Sequence, residues 1–483
     1  MIEWGISAGA HDAALCVTTR YKGKLSILFA SHSERYSGIK NDKWLNQKLI
    51  DAALRYGPPK VIHWYEKPWK RTLRRLMCGM GWNHFSPKKY LKEQFNIDAP
   101  IIYANHHESH AAAGFYTSNF DRATVLVIDA IGEFDTASIW IANKNRLKKV
   151  WRMKYPKSLG LFYSAMTDRV GLKANEDEYI LMGMVAYGLS DRYFDKVKKL
   201  YDEENLHRGC KWWNPGDDSE PHLYDIAAAT QKVYEEEFEK LLQLAKAKGH
   251  YNDNLVLMGG CALNCSANHI AKKYFKNVWI MPNPGDAGSS LGAIAANTRM
   301  NVDWKGPYLG NRMGRHYPVG KLMIELLKSG IVGVANGKAE FGPRALGNRS
   351  LLADPRGTTV KDKVNEIKHR QKFRPFAPVI MAEHADKYFE MPVEESPYMQ
   401  FTARCKYPEQ FPAIVHADGT SRVQTVTYDQ HPGLYTLLRR WYRETGCPML
   451  LNTSLNIKGM PMVNDINDAY AFEEKYGVKV VIS

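Results

Sequence analysis

The chain has 483 residues, 45% hydrophobic and 12% aromatic, with 66 basic against 51 acidic side chains and a formal net charge of +15. That length exceeds one ordinary hydrophobic core and predicts two or three domains. The apolar runs are too short for a membrane span, Met1-Ile2-Glu3-Trp4 lacks a basic-then-apolar leader, and seven scattered cysteines point to a reducing cytoplasm. The basic excess favours polyanionic partners, nucleic acid first, although charge speaks to association and solubility and not to fold.

Residues 2–20 predict a strand, a tight turn and a second strand. The small residues of Gly5-Ile6-Ser7-Ala8-Gly9-Ala10 let backbone amides approach an anion, and His11 with Asp12 offers a base and its orienting partner; a plain hairpin has the same pattern. Lys24 to His32 continues as a strand, with Glu34, Arg35 and Lys40 at its end. Residues 59–95 mix cations and rings most densely: Lys67, Trp69, Lys70, Arg71, Arg74, Arg75, Trp82, His84, Phe85, Lys88, Lys89, Tyr90 and Lys92. Cations that track phosphates, interleaved with rings that stack on bases, are the ingredients of a nucleic-acid surface. A solvated amphipathic helix has the same composition. Lys144 to Lys157, with Trp151 and Tyr155, has hairpin character and the same ambiguity.

The stretch Asn105-His106-His107-Glu108-Ser109-His110 leads through Ala111 to Gly114 into the apolar run Thr124–Ile128 and Asp129. His106 and His110 stand four apart, so on a helix their imidazoles project from one face, as two ligands of one metal require. Asp129 falls at the end of a predicted buried strand, where open α/β sheets place their chemistry. Asp286, in Pro282-Asn283-Pro284-Gly285-Asp286-Ala287-Gly288, precedes an Ala-rich helix. Two imidazoles and two carboxylates suit iron, manganese or zinc better than a thiolate site would. Taken singly, each has an ordinary reading as a cap or a chance HxxxH pair. Cys261 and Cys265 lack a second pair and read as core or loop residues.

Ser158 opens a predicted helix, and residues 222–249 read as a long amphipathic helix closed by Gly249. Leu255–Met258 then runs into Gly259-Gly260-Cys261-Ala262-Leu263-Asn264. Strand, double glycine and helix can seat a nucleotide at a helix N-terminus, or let helix and strand pack closely. Residues 297–318, punctuated by Gly and Pro, predict a linker. Beyond it come Gly337–Ser350, Ala353-Asp354-Pro355-Arg356, and the run Lys368, Arg370, Lys372, Phe373, Arg374, Pro375, Phe376. Arg344, Arg349, Arg356 and Arg374 lie among Gly/Pro turns, and planar forks in rigid turns suit bidentate phosphate or carboxylate recognition. Near the end, Thr420–Thr425, with Arg422, and Leu451-Asn452-Thr453-Ser454-Leu455-Asn456 offer hydroxyls and amides for ribose, phosphate or Mg²⁺-bound water, or for turn caps. No internal repeat is visible.

The blocks GISAGAHDAA, HHESHAAAGFY, VIDAIGEFDTAS, SLGLFYSAMTDRVGLKANEDEYILMGMVAYG, LMGGCALNCSAN, PNPGDAGSSLGA, EFGPRALGNRSLLADPR, FRPFAP, TSRVQTV and LLNTSLN span nearly the whole chain. In that order they resemble the O-carbamoyltransferases of the nodulation-protein and antibiotic-tailoring family. The resemblance implies an α/β protein: an actin-like ATPase (ASKHA) domain over 1–300, a linker over 301–318 and a smaller YrdC-like, acyl-adenylate-forming domain over 319–483. It implies Fe²⁺, with Mn²⁺ or Zn²⁺ as substitutes, on His106, His110, Asp129 and Asp286, and Mg²⁺ with the substrates ATP and carbamoyl phosphate. The second domain would form carbamoyl-adenylate, and the first would pass the carbamoyl group to a hydroxyl. On that scheme Arg344, Arg349, Arg356, Lys368, Arg374 and Arg422 neutralise the phosphates. Gly259, Gly260, Asn264, Asn452, Thr453 and Ser454 hold nucleotide, His11 is the base for the acceptor, and Asp12 orients it. The family's NTSFN has Leu455 for its Phe, and its GEP is Gly459-Met460-Pro461, which puts fine geometry at the C-terminus in question. The chain is also shorter than typical relatives, with fewer peripheral elements to cradle a small acceptor.

The donor chemistry is better defined than the acceptor. The charge and the patch of Lys67, Trp69, Lys70, Arg71, Arg74, Arg75, Lys88 and Lys89 point to a polyanion. The hydroxymethyl of 5-hydroxymethylcytosine, or a related pyrimidine in DNA, is a primary alcohol of the required kind, reached in a flipped or single-stranded base. That implies a viral, genome-modifying enzyme of the host cytoplasm. A sugar or antibiotic hydroxyl is the alternative, and tRNA threonylcarbamoyl transfer a further one. An ATP-gated nucleic-acid-binding module leaves the metal set and the anion turns without purpose. No membrane partner is expected, and the oligomeric state, with a homodimer among the options, is open.

Overall fold

Short apolar, β-branched runs separated by Gly, Asn and Lys turns fold as two five-stranded sheets in the first of two compact units, which joins Met1–Ser33 to Asn41–Trp304. The computed structural model describes the chain except Met80, Asn83, Glu204, Asn205, His369, Arg370, Lys372 and Pro375, and except the side chains of Leu206, Arg208, Lys211 and Thr358. Arg370, Lys372 and Pro375 of the basic run noted above therefore lie outside the described residues.

The first sheet contains β1 (Ile2–Ser7), β2 (Ala14–Tyr21), β3 (Lys24–His32), β4 (Val61–Trp64) and β5 (Ile101–Tyr103), in the order β3-β2-β1-β4-β5. The second contains β6 (Arg122–Gly132), β7 (Asp135–Asn143), β8 (Arg146–Lys154), β9 (Asn254–Met258) and β10 (Asn277–Trp279), in the order β8-β7-β6-β9-β10. In each, three strands form an antiparallel meander and two more add in parallel. The two sheets therefore share one topology. The sequence hides this duplication because a buried strand asks only for apolar side chains and turn residues, which many unlike sequences supply.

Each sheet's last strand is followed by a helix, His106–Thr117 after β5 and Ser289–Thr298 after β10, and these two helices pack on each other. Gly292 permits the approach, because a Cβ there would lie 1.9 Å from the Ser109 carbonyl oxygen. Gly5 does the same for β1, where a Cβ would lie 1.8 Å from the Ser290 carbonyl oxygen. The helix expected after Gly259-Gly260 is instead two short 3₁₀ turns, Gly260–Leu263 and Asn268–Lys273. No helix among the described residues is long and apolar enough to cross a membrane.

The second unit comprises Glu34–Lys40 and Lys305–Ser483. Its six-stranded sheet has the order Gln424–Val426, Ala377–Met381, Met449–Ser454, Arg349–Ala353, Ile331–Ala335, Val480–Val481. Leu322 and Leu326 of the helix Val319–Ser329, and Leu434, Leu437, Leu438 and Trp441 of the helix Pro432–Thr445, close its core with Val332, Leu351, Val379 and Leu450. The stretch expected as a linker carries a strand, Tyr308–Met313, paired with Gly337–Glu340, and so belongs to this unit. Its Gly and Pro residues punctuate a built segment. Leu455, at the family's Phe position, is fully buried.

One buried charge ties the first sheet together. The Glu3 carboxylate on β1 accepts from Arg20 Nε on β2 at 2.5 Å and from His63 Nε2 on β4 at 2.9 Å, while His63 Nδ1 accepts from Asn297 at 3.1 Å. Burial alone would raise its pKa, but His63 and Arg20 hold it down, at about 2. A depressed carboxyl pKa stabilises the fold above the unfolded value and loses that contribution as pH falls through the folded one. Glu3→Gln is therefore expected to cost about 2–3 kcal/mol at pH 7. Urea titrations should show the gap between wild type and variant closing as pH falls from 4.5 toward 2; a gap independent of pH contradicts the assignment.

Candidate metal centre

Four side chains from three places in the first unit converge. The helix His106–Thr117 presents His106 and His110, β6 presents Asp129 near its end, and the Asp286–Gly288 turn presents Asp286. One ligand atom from each lies within 4.8 Å of all the others, and all four residues are buried. His106 Nε2 is 3.1 Å from Asp129 Oδ2 and 3.2 Å from Asp286 Oδ1; His110 Nε2 is 3.2 Å from Asp286 Oδ1 and 3.6 Å from Asp129 Oδ2. The spacing on one helical face brought the two imidazoles together, as the sequence predicted.

The donor set fits a cation. His110 Nδ1 is 3.1 Å from the Pro284 carbonyl oxygen and must carry a proton to satisfy it. The two Nε2 atoms are only 3.1 Å apart, a spacing two N–H donors would crowd but two lone pairs on one ion would not. Separations of 3.1–3.6 Å match the edges of a coordination shell with bonds of roughly 2.1 Å. Burial opposes every charge here, yet the imidazoles hold the Asp129 and Asp286 carboxyls well below the usual range, and the carboxylates hold the His106 and His110 pKa values up.

Further hydrogen bonds lie around these groups. Gly260 N donates to Asp129 Oδ1 at 3.2 Å, Asn283 Nδ2 donates to His32 Nε2 at 3.0 Å, and Ser109 Oγ donates to the Tyr65 carbonyl at 2.8 Å. His107 is buried and faces Ser138 Oγ at 2.8 Å, and burial keeps it neutral. At the β1–β2 turn, His11 Nδ1 is 3.2 Å from Asp12 Oδ2, and His11 Nε2 is 4.0 Å from Asp286 Oδ2, beside the centre. Burial works against His11's charged form, but the Asp12 hydrogen bond and the Asp286 carboxylate raise its pKa above the usual imidazole range. A cation between the carboxylates opposes that rise.

Other expected site residues are engaged elsewhere. Gly259 has a positive φ of 90° and no room for a Cβ, which would lie 2.1 Å from the Ile128 carbonyl oxygen, and Gly260 gives its N–H to Asp129. Asn264 is buried in a reciprocal amide pair with Gln231 at 3.1 and 3.2 Å. These three shape the β6–β9 end rather than offering free donors to a nucleotide. Much of the expected basic surface also turns inward, toward acids and backbone carbonyls. Lys70 Nζ reaches Asn105 Oδ1 at 2.7 Å and Glu133 Oε2 at 2.9 Å, Arg74 reaches the Glu133 carbonyl at 2.8 Å, and Arg71 reaches Glu66 at 3.2 Å and the Gly9 carbonyl at 2.5 Å. Lys67 gives its backbone N–H to Glu133 at 2.9 Å, and Arg75 is half-buried. Lys88 and Lys89 are exposed, near Asp98 and Glu93, and Trp69 is exposed.

In the second unit the turn arginines divide. Arg349 is fully buried and donates to the carbonyls of Asn311, Asn336, Gly337 and Asn348 at 2.9–3.3 Å. Arg356 grips Asp354 through Nε and Nη2 at 2.9 and 2.8 Å. Backbone carbonyls thus take the Nη1 and Nη2 donors of buried Arg349, and the part-exposed Arg356 is paired to Asp354. Lys368 Nζ donates to the Ser454 carbonyl at 2.7 Å, to Ser454 Oγ at 3.2 Å and to Asn456 Oδ1. Asn452 donates to the Ala345 carbonyl at 3.1 Å and to Gln424 Oε1 at 2.7 Å, so the GPRALGN loop, TSRVQTV and NTSLN meet. Thr453, Arg344, Arg374 and Arg422 are half-buried.

Two further buried acids, Glu66 and Glu133, were not singled out from the sequence, and Glu66 Oε2 lies 3.8 Å from His106 Nδ1. Glu66 stands just past the end of β4, so the strand-end rule that selected Asp129 selects it too.

The carbamoyltransferase N-terminus family model matches residues 63–214 and 197–295, and the carbamoyltransferase C-terminus model matches 324–483. The chain is 30% identical over 509 residues to a 3'-hydroxymethylcephem-O-carbamoyltransferase of Streptomyces clavuligerus, covering 96% of this chain and 94% of that protein. It is 32% identical over 413 residues to nodulation protein NolO of Bradyrhizobium diazoefficiens, covering 76% of this chain and 75% of that one. An uncharacterized protein of Synechocystis sp. is 33% identical over 580 residues, covering 96% of this chain and 93% of its own.

Metal ligands must shed protons to bind, so cation and protons compete and affinity falls as pH falls. The purified protein is expected to take up one Fe²⁺ or Mn²⁺ per chain, and His110→Ala and Asp286→Asn are expected to weaken it by at least about 100-fold. Chelator competition measures this; unchanged affinity in both variants contradicts the centre.

Proposed function

The chain belongs to the carbamoyltransferase family, and from that premise we propose that this enzyme uses ATP, carbamoyl phosphate and water to form carbamoyl-adenylate in its second unit, releasing phosphate and pyrophosphate, and moves the carbamoyl group to an acceptor hydroxyl in its first. The observation that carries the reading is the buried pair of imidazoles and pair of carboxylates with His11 beside them, in a chain that matches both halves of the family.

In the second unit, which we read as a YrdC-like, acyl-adenylate-forming domain, Arg344, Arg374 and Arg422 have the half-buried setting of phosphate-neutralising groups, with Mg²⁺. Lys368, held by Ser454 and Asn456, supplies a further charge beside the Asn452-Thr453-Ser454 stretch. Arg422 Nε is buried and has no hydrogen-bond partner among the described residues, a donor a substrate anion would satisfy.

In the first unit, which we read as actin-like, His106, His110, Asp129 and Asp286 would hold Fe²⁺, Mn²⁺ or Zn²⁺. Such an ion supplies Lewis acidity and a template for the carbamoyl carbonyl or the adenylate phosphate. Asp12 holds His11 through Nδ1, which leaves Nε2 to accept the proton of the acceptor hydroxyl. The hydroxyl oxygen then attacks the carbamoyl carbon, and adenylate leaves.

For the acceptor we favour a hydroxymethyl group on a small molecule. The name of the Streptomyces relative specifies a hydroxymethyl acceptor. Lys70, Arg71 and Arg74, the core of the expected polyanion surface, point inward. The second reading, a 5-hydroxymethylpyrimidine in DNA, is favoured by the net charge of +15 and by exposed Trp69 and Trp82, rings suited to stacking on bases.

The test incubates the protein with ATP, carbamoyl phosphate, Mg²⁺ and Fe²⁺. A hydroxymethylcephem is offered in one arm, DNA containing 5-hydroxymethylcytosine in another, and unmodified DNA in a third, with products weighed by mass spectrometry. A carbamoyl increment in the first arm supports the small-molecule reading, and an increment confined to the hydroxymethylated base supports the DNA reading. Absence of carbamoyl-dependent ATP consumption in every arm contradicts the proposed donor chemistry. His11→Asn is expected to lower transfer about 10²–10⁴-fold while leaving carbamoyl-adenylate formation intact.

A further inference from the structure

We propose that Glu66 is the positioning residue of the metal centre: its carboxylate fixes the His106 ring with the proton on Nδ1, and Arg71 in turn holds Glu66 and the turn that bears His11. The inference rests on the metal reading of the four-residue site.

A neutral histidine that gives Nε2 to a cation must carry its proton on Nδ1, and what accepts that proton sets the ring's orientation and basicity. For His110 the acceptor is the Pro284 carbonyl, 3.1 Å away. His106 Nδ1 is buried and has no hydrogen-bond partner among the described residues, and the group facing it is Glu66 Oε2 at 3.8 Å. A shift of under ~1 Å brings that pair into ordinary hydrogen-bond range. The two imidazoles thus have unlike supports, a neutral carbonyl for one and a carboxylate for the other. The carboxylate makes His106 the more basic ligand.

Glu66 is itself fixed. It lies just past the end of β4, and the ring of its neighbour Tyr65 packs on the His106 ring at 5.2 Å between centroids. Its other oxygen, Oε1, accepts from Arg71 Nη1 at 3.2 Å, so Oε2 is left for His106. Arg71 Nη2 donates to the Gly9 carbonyl at 2.5 Å, two residues before His11. Gly9 has a positive φ of 93°, a conformation that favours glycine, and a Cβ there would crowd Arg71 Nη1 at 3.3 Å. One arginine therefore connects a first ligand's support to the base of the second half-reaction. Composition alone had placed Arg71 on a nucleic-acid surface.

The experiment measures Mn²⁺ affinity by chelator competition on the full chain for wild type, Glu66→Gln, Glu66→Ala, Arg71→Met and His106→Ala. Thermal melts of each metal-free protein check folding, and Glu66→Gln, which keeps the size of the side chain, is the deciding variant. Glu66→Gln and Glu66→Ala are expected to weaken Mn²⁺ by about 10–100-fold, with Arg71→Met in the same direction and smaller, and His106→Ala abolishing binding. If both Glu66 variants bind within about twofold of wild type while His106→Ala has lost the metal, the positioning role is overturned and the metal centre stands. If His106→Ala binds as wild type does, the metal reading fails and the role of Glu66 fails with it.

Discussion

Asp129 and Asp286 are buried together, and two carboxylates removed from water at one point demand positive charge between or beside them. Much of the local architecture serves that demand. Both imidazoles come from one helix, which is pressed against the helix behind Asp286 by the absence of a side chain at Gly292. Gly132 makes the same kind of room at the end of β6, where a Cβ would lie 2.2 Å from the His106 ring. A methyl group at Gly132 would displace His106 from carboxylates now 3.1 and 3.2 Å away. Close packing of the backbone and collection of charge go together here, because His106 and His110 meet Asp286 where the two helices pack.

The duplicated sheet order explains why the four side chains come from where they do. The helix that follows β5 gives two imidazoles, and the turn before the helix that follows β10 gives Asp286. The corresponding ends of the two halves therefore face one point, with Asp129 supplied near the end of β6. Positions near strand ends are free to diverge because the sheet's hydrogen bonding does not depend on their side chains, so one half can carry nitrogen and the other oxygen.

The convergence of these four residues was legible in the sequence because each member obeys a local rule. His106 and His110 have helical spacing, Asp129 ends an apolar strand, and Asp286 sits in a Gly/Pro turn before a helix. The direction in which the 68–77 helix faces was not legible. It presents Lys70, Arg71 and Arg74 to acids at 66 and 133 and to the Gly9 carbonyl, and leaves Trp69, Leu73 and Met77 outside. Periodicity identifies a charged face, but only tertiary partners decide whether that face is wet. The same limit applied to Arg349, whose turn gave it the setting of an anion ligand while backbone carbonyls take both of its terminal nitrogens. The duplication escaped for a third reason, since topology is conserved by burial and not by residue identity.

The centre is tested most directly by anomalous X-ray scattering from crystals of the protein reconstituted with Fe²⁺, collected on either side of the iron absorption edge. A single anomalous peak within bonding distance of His106 Nε2, His110 Nε2, Asp129 and Asp286 is the predicted result. Iron bound at another place in the chain, with these four side chains still paired only to one another, would contradict it.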